Sequence, residues 1–202
     1  YNPNGSIDTS LGSAGSTLVD FEGSDDEARF PLIQADGRIV VAGNAGVSTP
    51  VGVDSDFAVV RLMVDGAIDS GFGGNGNGRN HVNIVGRADI PGAAALKSDG
   101  TIFIAGRVGV DGGALPNTGL AQFRADGTLV ATAQFDYSPG DSHEATDVLV
   151  QPDGRILMAL TTRVSGVYQH AVARLNADLS RDPGFGANGV VRRFFLDLGV
   201  PF

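Results

Sequence analysis

The chain of 202 residues contains 30 glycines, no cysteine and no tryptophan, and 18% of its residues are charged. This composition excludes a coiled coil or helical bundle, a disulfide framework and a thiolate metal site. The formal net charge of −9 argues against nucleic acid as a partner, and no run reaches the roughly 20 apolar residues that a membrane span needs.

The first segment, residues 1–21, matches only the end of a unit that then repeats along the chain. It contains a turn at Asn4-Gly5 and the stretch Ile7–Gly15, which follows that turn. We therefore expect residues 1–21 to be the end of a preceding blade within a single repeat domain covering residues 1–202.

The first complete unit is predicted to cover residues 22–83. Apolar runs flank an Asp-Gly pair at Gly37, and a third apolar run leads to a second Asp-Gly pair at Gly66. Asp-Gly between apolar runs predicts a β-hairpin turn with positive φ at both turn positions. Two hairpins make four antiparallel strands, which we interpret as blade one.

The same pattern recurs twice, and it predicts blade two at 84–138 and blade three with a tail at 139–202. The first hairpin of these units turns at Gly100 and Gly154. Length differences between units are confined to the connections between the hairpins, where insertions cost little entropy. Tandem four-stranded units of this kind predict an all-β, β-propeller-like array.

A glycine-rich signature follows the second turn at Gly71–Gly76 and again at Gly184–Gly189, and it is absent from the middle unit. Both copies fit the dinucleotide pattern G-x-G-x-x-G, but they follow a hairpin turn rather than a strand that leads into a helix. We predict a tight turn whose phenylalanine is buried. The glycines expected to serve as structural turns are Gly5, Gly37, Gly66, Gly73, Gly76, Gly100, Gly127, Gly154, Gly186 and Gly189.

Together with the acidic stretch 24–28 and the run Asp36–Gly43, these signatures resemble the delta-60 repeat, a β-propeller-like family. The resemblance covers most of the chain and is weakest in the middle unit. It implies an extracytoplasmic setting in secreted or cell-surface bacterial proteins, and it carries no common enzymatic activity.

The predicted units amount to about three complete blades plus a partial one, whereas closed propellers have about four to eight blades. We therefore expect an incomplete ring that belongs to a longer propeller or is completed by other copies or a protein partner. The alternative is an arc capped by the apolar tail Val190–Phe202.

Acidic residues occupy predicted loops and are weak candidates for calcium ligands, because Ca²⁺ prefers several oxygen ligands. These candidates are Asp25, Asp26, Glu27, Asp54 and Asp56. No EF-hand, H-E-x-x-H or G-x-S-x-G motif occurs, and the three histidines occupy unrelated positions in the units. We therefore predict no catalytic residue and no cofactor other than calcium. Arg61 and Arg174 share a position on the third strand and are expected to form hydrogen bonds between blades.

Two functions remain open on these grounds. The first is a non-catalytic structural or interaction module that binds a protein or glycan through its inter-hairpin loops, or that assembles with other copies. The alternative is a sugar-binding or hydrolytic propeller with an acidic site on its loops.

Overall fold

The computed structural model describes residues 1–86, 88–109, 116–137, 140–164 and 166–193. Across these ranges the ordered elements are β-strands, and they include no helix long and apolar enough to cross a membrane. From residue 194 onward, the tail that was expected to dock lies outside the described ranges.

Within the described ranges, twelve strands form three four-stranded antiparallel sheets, and in each sheet the strands follow one another in chain order. The strands are β1 (Glu27–Ile33), β2 (Ile39–Thr49), β3 (Gly52–Leu62), β4 (Arg79–Val82), β5 (Ile90–Leu96), β6 (Ile102–Val108), β7 (Asn117–Phe123), β8 (Leu129–Phe135), β9 (Ser142–Val150), β10 (Ile156–Val164), β11 (Val167–Leu175) and β12 (Val190–Arg193). The prediction of an all-β array of four-stranded antiparallel blades is confirmed.

The hairpin turns differ from the prediction in their backbone conformation. At the turn between β1 and β2, Gly37 has a φ of +84°, but Asp36 is not among the residues with positive φ. Gly37 N–H donates to Gln34 O at 2.9 Å, and the Asp36 carboxylate accepts the N–H of Arg38 at 3.0 Å. This is a type I turn followed by a left-handed glycine. The aspartate stays in the right-handed region because its side chain bonds to the backbone two residues on.

The blades pack face to face through two apolar clusters. One lies between blades one and two and contains Val40, Phe57, Ile104 and Phe123. The other joins blades two and three. The blades approach so closely that a Cβ at Gly92 of β5 would lie 2.1 Å from a carbonyl oxygen of β9.

Residues 1–21 lie beside blade one and contain one isolated bridge, between Ser13 and Ser16, rather than a named strand. In the part of the chain that the structure describes, the array is therefore three complete blades plus a partial one, and its sheets do not close into a ring.

Candidate functional site

The array has two distinct ends, which are set by the connections between strands. The turns that directly follow the first strand and the third strand of each blade lie at one end, the turn end. The connections between the second and third strands lie at the opposite end, the loop end.

At the turn end, blade one binds a turn of blade two through polar side chains. Arg61 Nη1 donates to the carbonyl oxygen of Ala125 at 2.7 Å, and Gln34 Nε2 donates to the same oxygen at 3.1 Å. Arg61 is held in place by Asp69, whose Oδ2 accepts from Arg61 Nε at 2.9 Å. The hydrogen bond between blades that was predicted for Arg61 is therefore present.

The glycine-rich signature completes this contact. Gly73 N–H donates to Asp126 O at 2.8 Å, and the Phe72 ring is fully buried against Gly127. The Arg61 guanidinium lies over that ring, with Cζ 4.8 Å from its centroid. We call Gln34, Arg61, Phe72 and Gly73 the clasp of blade one; it binds the turn Ala125–Gly127 of blade two.

The loop end contains an acid–histidine cluster. Asp56 on β3 is buried, and its Oδ2 lies 2.8 Å from His81 Nδ1 on β4. Asn83 Nδ2 donates to the other Asp56 oxygen at 3.1 Å, and the Glu22 carboxylate lies 3.5 Å from His81 Nε2. The hydrogen bond to Asp56 raises the pKa of His81. A histidine between two carboxylates is stabilised as an imidazolium, which makes it a poor general base.

A second buried acid, Asp89, links blades one and two. Its carboxylate oxygens accept the N–H groups of Ile84 at 2.5 Å, Val85 at 3.3 Å and Gly109 at 3.3 Å. Burial raises the pKa of Asp89 to about 6. Because its acceptor positions face backbone N–H groups, Asp89 organises the connection between the blades.

Asp26, one of the calcium candidates, also accepts backbone N–H groups, in this case in blade one. Its two oxygens accept the N–H groups of Phe21 at 2.9 Å and of Gly46 at 3.1 Å. In blade three the matching position is occupied by the fully buried His143. Asp26 therefore ties the N-terminal segment to blade one.

The other calcium candidates have different surroundings. Glu27 forms an ion pair with Arg29 at 2.6 Å, Asp25 is exposed, and Asp54 is half-buried on β3. Within the described ranges, no three His, Asp or Glu side chains are grouped so that they could hold a metal ion. Calcium binding by the five acids stays a prediction.

An apolar groove lies between the N-terminal segment and the sheet of blade one. Leu18, Phe21, Ala28 and Val60 are among its lining residues, and its volume is about 250 Å³. Pockets for drug-sized ligands are larger, at roughly 300–1,000 Å³. The groove is therefore too small to be a candidate for such a ligand.

The sequence reasoning missed three elements: the pair of Asp56 and His81, the buried Asp89 and the role of Gln34. A signal for the last was present, because Gln, Arg and Phe occur together in units one and three. In the middle unit Lys97 and Gln122 replace the first two, and the phenylalanine signature is missing.

Residues 34–72 and 151–185 match a family model described as a domain of unknown function (DUF5122) beta-propeller. The chain contains β-propeller-like repeats. The first matched stretch begins at Gln34 and ends at Phe72, and the second begins at Gln151 and ends at Phe185. A search of curated proteins found no match.

Proposed function

We propose that the chain is a non-catalytic structural or interaction module of a secreted or cell-surface bacterial protein, of the delta-60 type. It binds a protein or glycan partner through its inter-hairpin loops, or it assembles with other copies. The resemblance of the repeats supports an extracytoplasmic location (secreted, periplasmic or cell surface), and accessibility of the protein to protease on intact cells tests it.

The main support comes from the side chains exposed at the loop end. Val51 is 71% exposed beside the β2–β3 connection, and Tyr168 is 71% exposed beside the β10–β11 connection. Their neighbours Val53 and Val167 are both 59% exposed. Arg163 lies against Tyr168, with Cζ 5.7 Å from the ring centroid. Tyrosine and arginine are enriched in protein interfaces, so these loop ends have the composition of a binding surface.

The alternative is a sugar-binding or hydrolytic site at the acids of the loop end. Glycoside hydrolysis needs one free carboxylate and one carboxylic acid beside the sugar. Asp56 is instead bonded to His81 and Asn83, and Asp89 is bonded to backbone N–H groups. This arrangement favours the non-catalytic role over the alternative.

The test uses a glycan array, an array of purified extracellular proteins and a panel of glycosidase substrates. We expect a specific ligand whose affinity falls about tenfold or more in Val51→Ser or Tyr168→Ser, since a truncated anchor residue costs more than about 1 kcal/mol. Val64→Ser is the matched control, because Val64 is 65% exposed at the turn end.

Two results would contradict the proposal. One is a ligand whose binding is unaffected by both loop variants. The other is turnover of a glycosidase substrate that is lost in Asp56→Asn. Calcium is assessed separately by a thermal shift with and without chelator.

A further inference from the structure

Among the described residues, two turns that follow a third strand are bound by the preceding segment through the same two hydrogen bonds: a glycine N–H donates to the carbonyl oxygen of the turn aspartate, and a side chain donates to that of the turn glycine. The turn of blade two is bound by the clasp of blade one, as described above. The turn of blade one is bound by the N-terminal segment: Gly12 N–H donates to Asp65 O at 2.7 Å, and Thr17 Oγ1 donates to Gly66 O at 2.6 Å. Leu11 packs against Gly66 where the clasp of blade one places a phenylalanine. This contact is thus a repeated module, a clasp and a glycine turn.

Blade three carries the four clasp residues, Gln151, Arg174, Phe185 and Gly186, whereas Val191 occupies the position from which Asn80 of blade one donates to Gly127 O. Arg174 Nε donates to Asp182 Oδ2 at 2.8 Å, and Arg174 Cζ lies 4.5 Å from the centroid of the Phe185 ring. These two distances match those of the clasp of blade one, so the arginine, the aspartate and the phenylalanine already have the arrangement seen there.

The clasp of blade three is less covered than that of blade one. The Arg174 side chain is 24% exposed, compared with 10% for Arg61, and Phe185 is half-buried whereas Phe72 is fully buried. In the part of the chain that the structure describes, the buried Oε1 of Gln151 has no hydrogen-bond partner. In the clasp of blade one, the equivalent Gln34 Oε1 accepts from Arg61 Nη1 at 3.2 Å, so the clasp of blade three lacks this internal hydrogen bond.

The matching turn is at the other end of the array, at Asn2–Ser6. Its backbone has the conformation of the bound turns: Gly5 N–H donates to Asn2 O at 2.9 Å, and Asn4 Oδ1 accepts the N–H of Ser6 at 3.0 Å. The φ of Gly5 is +82°, compared with +83° for Gly66 and +81° for Gly127. A Cβ at Gly5 would meet nothing within 4 Å, whereas both other glycines are covered.

We propose that the clasp of blade three binds the turn Asn2–Ser6 of a second copy of this chain, head to tail. In this contact Arg174 and Gln151 donate to the carbonyl oxygen of Pro3, Gly186 N–H donates to that of Asn4, and Phe185 covers Gly5. This inference rests on the part of the proposed function in which the chain assembles with other copies. It specifies the two surfaces that make that contact.

Such a contact is heterologous, because the two copies use different surfaces. Heterologous contacts build closed rings when the rotation adds up to a full turn, and filaments otherwise. Two copies supply six complete blades and two partial ones, which lies within the range of about four to eight blades in closed propellers.

Single cysteines test the contact directly, since the chain has none of its own. A Cβ at Gly74, the residue after the clasp glycine of blade one, would lie 3.4 Å from Thr128 Cγ2, beside the bound turn. The equivalent residues in the proposed contact are Ala187 and Ser6. We expect Ala187→Cys mixed with Ser6→Cys to form a disulfide-linked dimer under mild oxidation, because the contact holds these positions together.

The matched control is Ala187→Cys mixed with Ser98→Cys, in which the second cysteine lies on an exposed turn between a first and a second strand. We expect dimer from the test pair to form at least about tenfold faster than from this pair, because docking raises the effective concentration of the thiols. Adding Phe185→Ala to the Ala187→Cys chain should reduce the rate of dimer formation with Ser6→Cys to that of the control pair. Phe185→Leu should retain much of the faster rate, since Leu11 occupies the same position in the N-terminal segment.

Equal rates in the two mixtures would overturn the proposal, as would a mass by light scattering that stays monomeric at every concentration. Either result would mean that another part of the same chain, or a different partner, occupies the clasp. The loop-end binding assays use different residues, so a failure of the head-to-tail contact is distinguishable from a failure of loop-end binding.

Discussion

Gly127 is the position where the stability of the array can be tested most sharply. Its φ is +81°, and an added Cβ would lie 2.5 Å from two ring carbons of Phe72. The ring cannot withdraw easily, because it is fully buried and packs against the Arg61 guanidinium. Gly127→Ala therefore combines two costs, the left-handed backbone and the steric clash.

The magnitude follows from these two terms. A left-handed conformation costs a residue other than glycine roughly 1–2 kcal/mol. Overpacking a well-packed contact costs roughly 1–3 kcal/mol. We expect Gly127→Ala to lower the free energy of unfolding by about 2–5 kcal/mol.

Gly154→Ala separates the two terms. Gly154 has a φ of +85°, and its added Cβ would meet only Ala177 Cβ at 3.7 Å, an ordinary contact. It therefore carries the backbone cost without the clash. Urea unfolding of both variants should show a difference of roughly 1–3 kcal/mol between them.

A double mutant checks the cause. In a Phe72→Ala background the ring is gone, and Gly127→Ala should cost no more than Gly154→Ala does. Equal destabilisation by Gly127→Ala and Gly154→Ala in the wild-type background would refute the reasoning. An undiminished cost of Gly127→Ala in the Phe72→Ala background would also refute it.

Three further outcomes are expected. Phe72→Ala should lower the free energy of unfolding by about 3–5 kcal/mol. Phe185→Ala should lower it by half of that or less in dilute solution, since Phe185 is half-buried. Equal losses for the two variants in urea unfolding would contradict this. The pKa of His81 measured by NMR should exceed 6.5 and fall in Asp56→Asn, and the stability due to His81, complete below about pH 6.5, should be lost as the pH rises through that raised pKa. Asp89 should titrate with a pKa of about 6 instead of 3.8, so that its contribution to stability falls by roughly 3 kcal/mol between about pH 4 and about pH 6. Asp89→Asn should lack this fall, and a measured pKa near 3.8 would contradict the assignment.

Much of the fold was predictable because the signals are local and repeated. The Asp-Gly pairs at Gly37, Gly100, Gly127 and Gly154 each mark a hairpin, and the apolar runs on either side have the length of strands. The conformation of the turns was predicted wrongly. Apolar runs with Asp-Gly fit both the two-residue turn and the three-residue turn with a left-handed glycine, and side-chain hydrogen bonds such as that of Asp36 decide between them.

The candidate site was less predictable, because it depends on contacts across large separations in the chain. Asp56 and His81 meet only through the pairing of β3 with β4. The glycine-rich segment 69–78 lies between these strands, so the register of their pairing cannot be predicted from the sequence. Gln34 reaches a carbonyl oxygen 91 residues away. No local pattern encodes a partner at that distance.

The sequence by itself determined the repeat, the hairpins and the number of units, since these depend on turn chemistry and on the spacing of apolar runs. Only the tertiary structure decided which copy of each repeated residue is buried and which is left open. Phe72 and Phe185 occupy the same place in the same motif, yet one is covered by the next blade and the other is half-buried. The reason is that burial is a property of the neighbouring blade, and the local sequence around each phenylalanine carries no information about that neighbour.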